Sequence, residues 1–168
     1  MGELWREDLI PYRALLPRLG LVLVSTAAYK AYDFDLPRSA GLSSKVVEGL
    51  LRVKLGYDGV AIAYGLETEA VRGTLSLEEA AVQAVGAGCD MLLVEEAPAA
   101  ETARAALGAA LESGKLPSAR VEQALKRIQT AKHGLQPSGD KLSQSSLDKL
   151  TREFRAYSGA FASAENLD

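Results

Sequence analysis

The stretch LLRVKLGYDGVAIAY, residues 50–64, contains the transition that decides the fold. Its first half continues an apolar pattern of helical period, with Val46, Val47, Leu50 and Leu51 on one face, and the pattern stops at Gly56, a residue type that commonly ends helices. The run from Val60 to Ala63 is apolar without polar alternation, which is typical of a parallel strand buried on both faces. The stretch therefore predicts a helix, a short glycine-containing turn and a strand, the repeating unit of α/β proteins.

Two further apolar runs flank this unit, LGLVLVS at Leu19–Ser25 and DMLLVE at Asp90–Glu95. Both predict strands that are buried on both faces. Before the third strand, Ser76 and Glu79 have the spacing of a capping box, and the helix that they begin ends at Gly88. Two more helices are predicted after the third strand, over residues 98–114 and 118–134.

The chain is predicted to have two parts, residues 1–134 and residues 135–168. A polar tract, LQPSGDKLSQSS at 135–146, is interpreted as a linker, and the segment after it begins with a helical pattern. About three parallel strands leave two unpaired sheet edges, which favour pairing with another chain. The predicted partner is a second copy of the chain or a separate chain with complementary structure, so an oligomer is expected.

Composition excludes several classes of function. The net charge is −3, and no cluster of Lys and Arg with interleaved aromatics is present, so no nucleic-acid partner is expected. No apolar run reaches the length of a membrane span, and the acidic residues near the N-terminus are unlike a secretory signal. A single cysteine, Cys89, favours a reducing compartment. These observations predict a cytoplasmic protein without a membrane partner.

The order of segments from Leu9 to about Lys132 resembles the C-terminal half of the catalytic (β/α)8 barrel of glycoside hydrolase family 3, in particular its bacterial β-N-acetylhexosaminidases. LLRVKLGYDGV, residues 50–60, is similar to the family's Leu-Leu-Arg-x-x-Leu-Gly-Phe-Asp-Gly-Val signature. SLEEAAVQAVGAGCDMLLV, residues 76–94, resembles the helix that leads into the eighth strand, and residues 113–132 resemble the final helix. The resemblance implies an α/β fold: a partial, half TIM-type barrel with about three parallel strands and flanking helices, because the chain is too short for a closed barrel.

The resemblance also locates the positions that carry chemistry in the family. The family's seventh strand ends in Ser or Thr followed by the nucleophilic Asp, and Ala63 and Tyr64 occupy those two positions here. The sixth strand commonly ends near a His, where Thr26 stands. In the family, the loops that carry the proton-donating residues come earlier in the sequence than the segments that this chain resembles. The resemblance thus implies no catalytic residue, and it assigns Thr26, Tyr64 and Glu67 to binding of an N-acetylglucosamine-type sugar.

The replacement of Asp by Tyr64 matters chemically. A retaining glycosidase needs one group that attacks the anomeric carbon and another that moves protons. A phenol with an ordinary pKa of about 10 is protonated at neutral pH, so it is a poor nucleophile and brings no negative charge. Two interpretations stay open. Tyr64 fills space in a vestigial pocket, which is preferred, or Glu67 activates it as a carboxylate activates Tyr in sialidases.

Other residues have weaker claims to function. Asp33 and Asp35 share a loop, and Glu95 and Glu96 follow the third strand at the end where barrel enzymes bind ligands. Asp90, Cys89 and His133 are interpreted as structural: a residue that precedes the third strand, a small core residue and a partner of a helix C-terminus. The aromatics that could form a sugar platform are Trp5, Tyr12, Tyr29 and Tyr32, of which Trp5 and Tyr12 fit packing on the first helix better. No metal site and no cofactor are predicted.

Three hypotheses follow for function. The first is a glycoside-hydrolase-like protein without catalytic activity. The second is an assembly module that pairs its open sheet edge with itself or with a partner half-barrel. The third is a small ligand-binding α/β domain that completes its sheet with strands from its terminal segments.

Overall fold

The structure, a computed structural model, describes residues 5–32, 37–135 and 143–164. The chain divides into two compact units, residues 1–135 and residues 136–168. The loop carboxylates Asp33 and Asp35, and most of the predicted linker, lie outside the described residues.

The first unit contains a parallel three-stranded sheet in the order β1-β2-β3. β1 is Leu21–Leu23, β2 is Val60–Tyr64 and β3 is Met91–Leu93. Leu23 is aligned with Ile62, and Ile62 with Met91, across the sheet. The prediction of three parallel strands, each entered after a helical segment and a glycine turn, is confirmed, although the two outer strands are shorter than the apolar runs that predicted them.

The helices of the first unit flank these strands along the chain. Short 3₁₀ turns precede β1 and α2, at Leu16–Arg18 and Ala40–Leu42. The longer helices, in chain order, are α1 Ile10–Leu15, α2 Lys45–Lys54, α3 Glu69–Arg72, α4 Leu77–Gly86, α5 Ala97–Glu112 and α6 Ser118–His133. The capping box of α4 is confirmed, because the Ser76 amide donates to Glu79 and the Glu79 amide donates to the Ser76 hydroxyl.

Helix α2 differs from its prediction in its winding. It has the wide π form, with hydrogen bonds spanning five residues, as the Leu55 amide donates to the Leu50 carbonyl at 2.9 Å. The chain leaves the helix through Gly56, whose φ of +66° is a conformation that favours glycine. Periodicity alone does not distinguish the π form from the α form over so few turns.

The two faces of the sheet have different surroundings. The covered face, formed by Val22, Ala61, Ala63 and Leu92, packs against residues of α2 and α4 such as Val47, Leu51, Ala80 and Ala84. The open face comprises Leu21, Leu23, Ile62, Tyr64, Met91 and Leu93, which alternate with the covered residues. Val60 shares the open side at the beginning of β2 but is buried.

The prediction that all three strands are buried on both faces is wrong for β1 and β3. Leu21, Leu23 and Leu93 are 51–55% exposed. Only the central strand β2 has a strand on each side, and the helices described here pack on one face. The apolar runs therefore predicted the strands correctly. Burial of the open-face residues would require another element to pack on that face, and the described residues supply none.

A buried ionic network lies at the amino end of the sheet, around Asp90. This carboxylate, whose side chain is fully buried, contacts Arg52 at 2.5 Å and Arg120 at 2.7 Å, with Arg127 at 3.4 Å. It also accepts a hydrogen bond from the Ala61 amide of β2 at 3.0 Å. Asp90 thereby joins β2 to α2 and α6, which agrees with its interpretation as a structural residue.

The second unit is helix α7, Gln144–Ala164. The predicted helical start of this segment is confirmed, and the helix continues to Ala164. Because α1 and α7 are helices, the described parts of the terminal segments contain no strand that could complete the sheet. The third hypothesis, a ligand-binding domain with extra strands from its terminal segments, therefore has no support in these residues. None of the described helices combines the length and the apolarity that crossing a membrane requires.

Candidate functional site at the carboxyl ends of the strands

The three predicted sugar-binding residues lie at one edge of the sheet. Thr26 follows β1, Tyr64 is the last residue of β2 and Glu67 lies in the loop after β2. Because the strands are parallel, their carboxyl ends meet at this edge. A Cβ atom placed on Gly65 would lie 3.4 Å from the Thr26 methyl carbon, so the segment after β1 contacts the end of β2. The carboxyl edge is where α/β barrels bind ligands.

The loop after β2 has a defined conformation that orients Glu67. Gly65 has a φ of +75°, which other residue types rarely adopt. Its carbonyl accepts hydrogen bonds from both the amide of Thr68, at 3.0 Å, and the hydroxyl of Thr68, at 2.8 Å. The chain thus turns within four residues, and α3 begins at Glu69. This turn directs the Glu67 side chain towards β3.

Glu67 has one bonded and one unbonded carboxylate oxygen. Its Oε1 accepts a hydrogen bond of 2.6 Å from the backbone amide of Glu95, which lies in the loop after β3. Its Oε2 is buried and has no hydrogen-bond partner among the described residues. A buried acceptor without a donor is destabilising, by about 1–3 kcal/mol for a polar group. The Glu67 Oε2 atom therefore lacks the donor that a buried acceptor needs, and a bound molecule reaches it only if the surrounding loop opens.

Tyr64 is 38% exposed at the end of β2. Within the described part of the chain, its hydroxyl has no hydrogen bond, and the bond that Glu67 makes goes to the Glu95 amide instead. The arrangement thus contains none of the hydrogen bonding that would let Glu67 remove a proton from Tyr64. What Tyr64 offers a ligand is an accessible aromatic face and a free hydroxyl.

The other aromatic candidates lie elsewhere. Tyr12, Tyr29 and Tyr32 line a mainly apolar cavity of about 380 Å³ between β1, α1 and α2. Burial raises the pKa of Tyr32 above its usual value. Tyr12 lies on α1, as expected, and its side chain is about half exposed at the cavity. Trp5 lies 5.0 Å from the guanidinium carbon of Arg13, measured to its ring centre.

Cys89 and His133 have the structural positions predicted for them. Cys89 is a fully buried core residue, and burial raises the pKa of its thiol to about 12, so the thiolate needed for nucleophilic attack does not form at neutral pH. His133 is the last residue of α6. Glu96 precedes the first turn of α5 and is exposed. In the ranges that the structure describes, no three His, Cys, Asp or Glu side chains are grouped as metal ligands.

Sequence reasoning missed two features of this region. The amide of Glu95, rather than its side chain, contacts Glu67, and the pairing of Glu67 with the β3 loop leaves Oε2 unbonded. No sequence signal could reveal either feature. Residues 67 and 95 come together only because β2 and β3 are neighbours, and backbone amides are the same at every residue except proline.

The comparisons with known proteins agree with the resemblance found in the sequence. Residues 1–131 match the model of the glycosyl hydrolase family 3 N-terminal domain. An uncharacterized secreted glycosyl hydrolase from Arthroderma benhamiae is 33% identical over 77% of this chain and 37% of its own length. A β-hexosaminidase from Nitrosomonas eutropha is 33% identical over 55% of this chain and 26% of its own length.

Solved structures give the same result. The β-N-acetylglucosaminidase of Thermotoga maritima superposes with a TM-score of 0.73 and 31% identity, over 80% of this chain and 30% of that protein. A family 3 β-N-acetylglucosaminidase from Paenibacillus sp. FPU-7 gives a TM-score of 0.71 and 33% identity, over 90% of this chain and 31% of that protein. The chain thus spans 26–37% of the length of these relatives. It belongs to glycoside hydrolase family 3, and its matched region is part of the family's N-terminal barrel domain.

Proposed function

We propose that this chain binds an N-acetylglucosamine-type sugar at Thr26, Tyr64 and Glu67 without cleaving it. The observation that carries the proposal is the grouping of Thr26, Tyr64 and Glu67 at the carboxyl edge of the sheet, where the Tyr64 side chain is 38% exposed and the Glu67 Oε2 atom has no hydrogen-bond partner among the described residues. Membership of glycoside hydrolase family 3 supports the choice of sugar, since several relatives are named β-hexosaminidases or β-N-acetylglucosaminidases.

The residues at the carboxyl edge have the chemistry that sugar binding requires. A carboxylate oxygen accepts a strong, charge-assisted hydrogen bond from a hydroxyl or an amide N–H group, and an N-acetylated sugar carries both. The exposed ring of Tyr64 provides an apolar surface for the carbon side of the sugar. Thr26 adds a hydroxyl next to the end of β2.

The same residues explain why we propose binding without cleavage. Tyr64 occupies the end of β2, where the family resemblance requires an ionised Asp, and a neutral phenol does not stabilise the positive charge of the transition state. Glu67 holds the Glu95 amide with one oxygen and is not hydrogen-bonded to Tyr64. These residues therefore contain an acceptor for a substrate group but no activated nucleophile.

Titration with N-acetylglucosamine, followed by NMR or calorimetry, tests the binding proposal. We expect saturable binding that Glu67→Gln weakens by at least about tenfold, because the amide replaces a charged acceptor. Glu122→Gln, on the exposed side of α6, is the matched control and should leave affinity unchanged. Glucose, which lacks the acetamido group, should bind more weakly. Absence of saturable binding, or equal affinity in the Glu67→Gln variant, would contradict the proposal.

Hydrolysis is tested with an aryl N-acetyl-β-glucosaminide. We expect no release of the aryl group above the uncatalysed rate by the purified chain. Turnover that disappears in a Tyr64→Phe variant would instead show that Tyr64 is a nucleophile, and the non-catalytic interpretation would be abandoned.

The assembly module is a second candidate function, favoured by the edges of the sheet. β1 and β3 each pair on one side only within the described chain, and an unpaired parallel strand offers backbone donors and acceptors to another chain. The partner is a second copy or a complementary half-barrel chain, and formation of a discrete complex in solution would support this candidate. The predicted cytoplasmic location stays a prediction.

A further inference from the structure

The carboxylate of Glu67 joins two loop segments at the carboxyl edge of the sheet. Its Oε1 atom accepts the hydrogen bond of 2.6 Å from the amide of Glu95, and its Oε2 atom is buried without a donor among the described residues. A ligand that approaches this carboxylate therefore meets a closed contact between the segment after β2 and the segment after β3. One of these two segments has to move before a ligand group can bond to Oε2.

The segment after β2 is the fixed side of this contact. Leu66, next to Glu67, is 1% exposed and belongs to the apolar core. On the other side of Glu67, the amide and the hydroxyl of Thr68 both donate to the Gly65 carbonyl, at 3.0 and 2.8 Å. Displacement of the backbone here would expose Leu66 to water and break both hydrogen bonds, so the segment holds the Glu67 carboxylate in place.

The segment after β3 is held by fewer contacts. It consists of Val94 and Glu95, because the next residue, Glu96, is already attached to α5 through its carbonyl, which accepts the Ala100 amide at 3.2 Å. The Glu95 side chain is exposed and makes no ion pair or hydrogen bond with the described residues. Few contacts and an exposed backbone hydrogen bond are typical of segments that open locally. The segment after β3 is therefore the side that moves.

We infer that the hydrogen bond between Glu67 and the Glu95 amide is a latch that opens when a sugar binds. On opening, the peptide group between Val94 and Glu95 turns away, and hydroxyl or acetamido N–H groups of the sugar take its place on the Glu67 carboxylate. The inference rests on the function proposed above and adds how access to the site is controlled. Because only the open form binds, the apparent affinity is the intrinsic affinity reduced by the fraction of open molecules.

The first test is the affinity of a Glu95→Pro variant of the full chain for N-acetylglucosamine, measured by calorimetry. Proline has no amide hydrogen, so the variant loses the latch but keeps every side chain of the proposed site. Val94 directly follows β3, and an extended residue is what a following proline requires. We expect the affinity to rise about tenfold, the low end of what one hydrogen bond to a charged group is worth.

Glu95→Gln is the matched control. It removes the charge of the same side chain but keeps the amide, and an exposed charge is largely screened by solvent, so the affinity should stay within about twofold of the wild type. Two-dimensional NMR spectra establish that both variants are folded.

The second test uses the wild-type chain and needs no variant. Hydrogen exchange of the Glu95 amide, followed by NMR, reports directly on the latch. This amide should exchange at least about tenfold faster in the chain saturated with N-acetylglucosamine than in the free chain, because the sugar holds the latch open.

The outcomes separate the latch from the proposed function. Saturable binding without faster exchange of the Glu95 amide would overturn the latch and leave the sugar site intact. A folded Glu95→Pro variant with an affinity equal to or below that of the wild type would also overturn it, because the amide would then not compete with the ligand. Absence of saturable binding by the wild-type chain would overturn the proposed function, and the latch with it.

Discussion

The two ends of the sheet differ in whether their buried carboxylate is paired with opposite charge. At the amino end, the Asp90 carboxylate is fully buried and holds three arginines and the Ala61 amide. At the carboxyl end, Glu67 makes one hydrogen bond and leaves one oxygen unbonded, and the Tyr64 hydroxyl has no partner among the described residues. The Asp90 carboxylate is thus neutralised by arginines, although Arg52 Nε and Arg120 Nη1 are themselves buried without a partner among the described residues, whereas the Glu67 carboxylate has no cationic partner among them.

This difference separates the end of the sheet that maintains the fold from the end at which we propose ligand binding. Removing one partner from a buried charged network leaves uncompensated charge, so the amino end tolerates little change. Changes at the exposed carboxyl end leave few groups unsatisfied. If Tyr64 stands at the position of the family's nucleophile, as the resemblance predicts, the strands and helices form without an acidic residue there. Mutations at the two ends test this comparison directly.

Asp90→Asn should cause the largest loss of stability. The substitution keeps the shape of the side chain but removes the negative charge that neutralises Arg52 and Arg120 in a buried site. We expect the free energy of unfolding to fall by about 3–5 kcal/mol, the range found when one partner of a buried ion pair is removed. Urea denaturation followed by circular dichroism measures this change.

Asp58→Asn is the control for that experiment. Its carboxylate also contacts Arg127, at 3.2 Å, but its side chain is 92% exposed. Because solvent already screens this pair, its loss should change stability by less than about 1 kcal/mol. Equal losses for Asp58→Asn and Asp90→Asn would show that burial of the network is not what stabilises the amino end.

Gly59→Ala should have an intermediate effect. A Cβ atom at this position would overlap the Tyr57 hydroxyl and lie 2.8 Å from the Gly20 carbonyl oxygen at the start of β1. Relief of this overlap requires movement of backbone, at a cost of about 1–3 kcal/mol in the free energy of unfolding.

Gly108→Ala is the matched control within α5, because a Cβ atom there would meet nothing within 4 Å. Alanine should stabilise this helix by about 0.5–1 kcal/mol, since glycine loses more backbone entropy on folding. In thermal denaturation, the unfolding midpoint should fall below that of the wild type for Gly59→Ala and rise above it for Gly108→Ala. A Gly59→Ala variant as stable as the wild type would mean that the amino end is less tightly packed than the structure shows.

Tyr64→Phe should have the smallest effect on stability. The substitution removes a hydroxyl that has no hydrogen-bond partner in the described part of the chain, and the aromatic ring remains. We expect the free energy of unfolding to change by no more than about 0.5 kcal/mol, as for most exposed positions. A loss of several kcal/mol in urea denaturation would assign Tyr64 to the fold and remove the contrast between the two ends.

Local patterns in the sequence predicted most of the first unit. The glycine that ends α2, the capping box of α4 and the apolar runs of the strands act within a few residues, so each was recognisable without knowledge of the rest of the fold. The shared sequence motifs around residues 50–60 and 76–94 identified the family and the position of Tyr64. Burial was predicted less well, because the exposure of Leu21 and Leu93 depends on which elements surround the sheet and not on the strands themselves.

The sequence by itself determined the parallel strands and the helices that precede them, and the family resemblance predicts that Tyr64 stands at the position of an acidic residue. Only the tertiary structure decided that Arg120 and Arg127 meet Asp90, that the amide of Glu95 occupies one oxygen of Glu67, and that one face of the sheet is open. The physical reason is distance along the chain. Helix caps and apolar periods are interactions between near neighbours, whereas these contacts join residues about 30 positions apart, and they exist only after the strands and helices have packed.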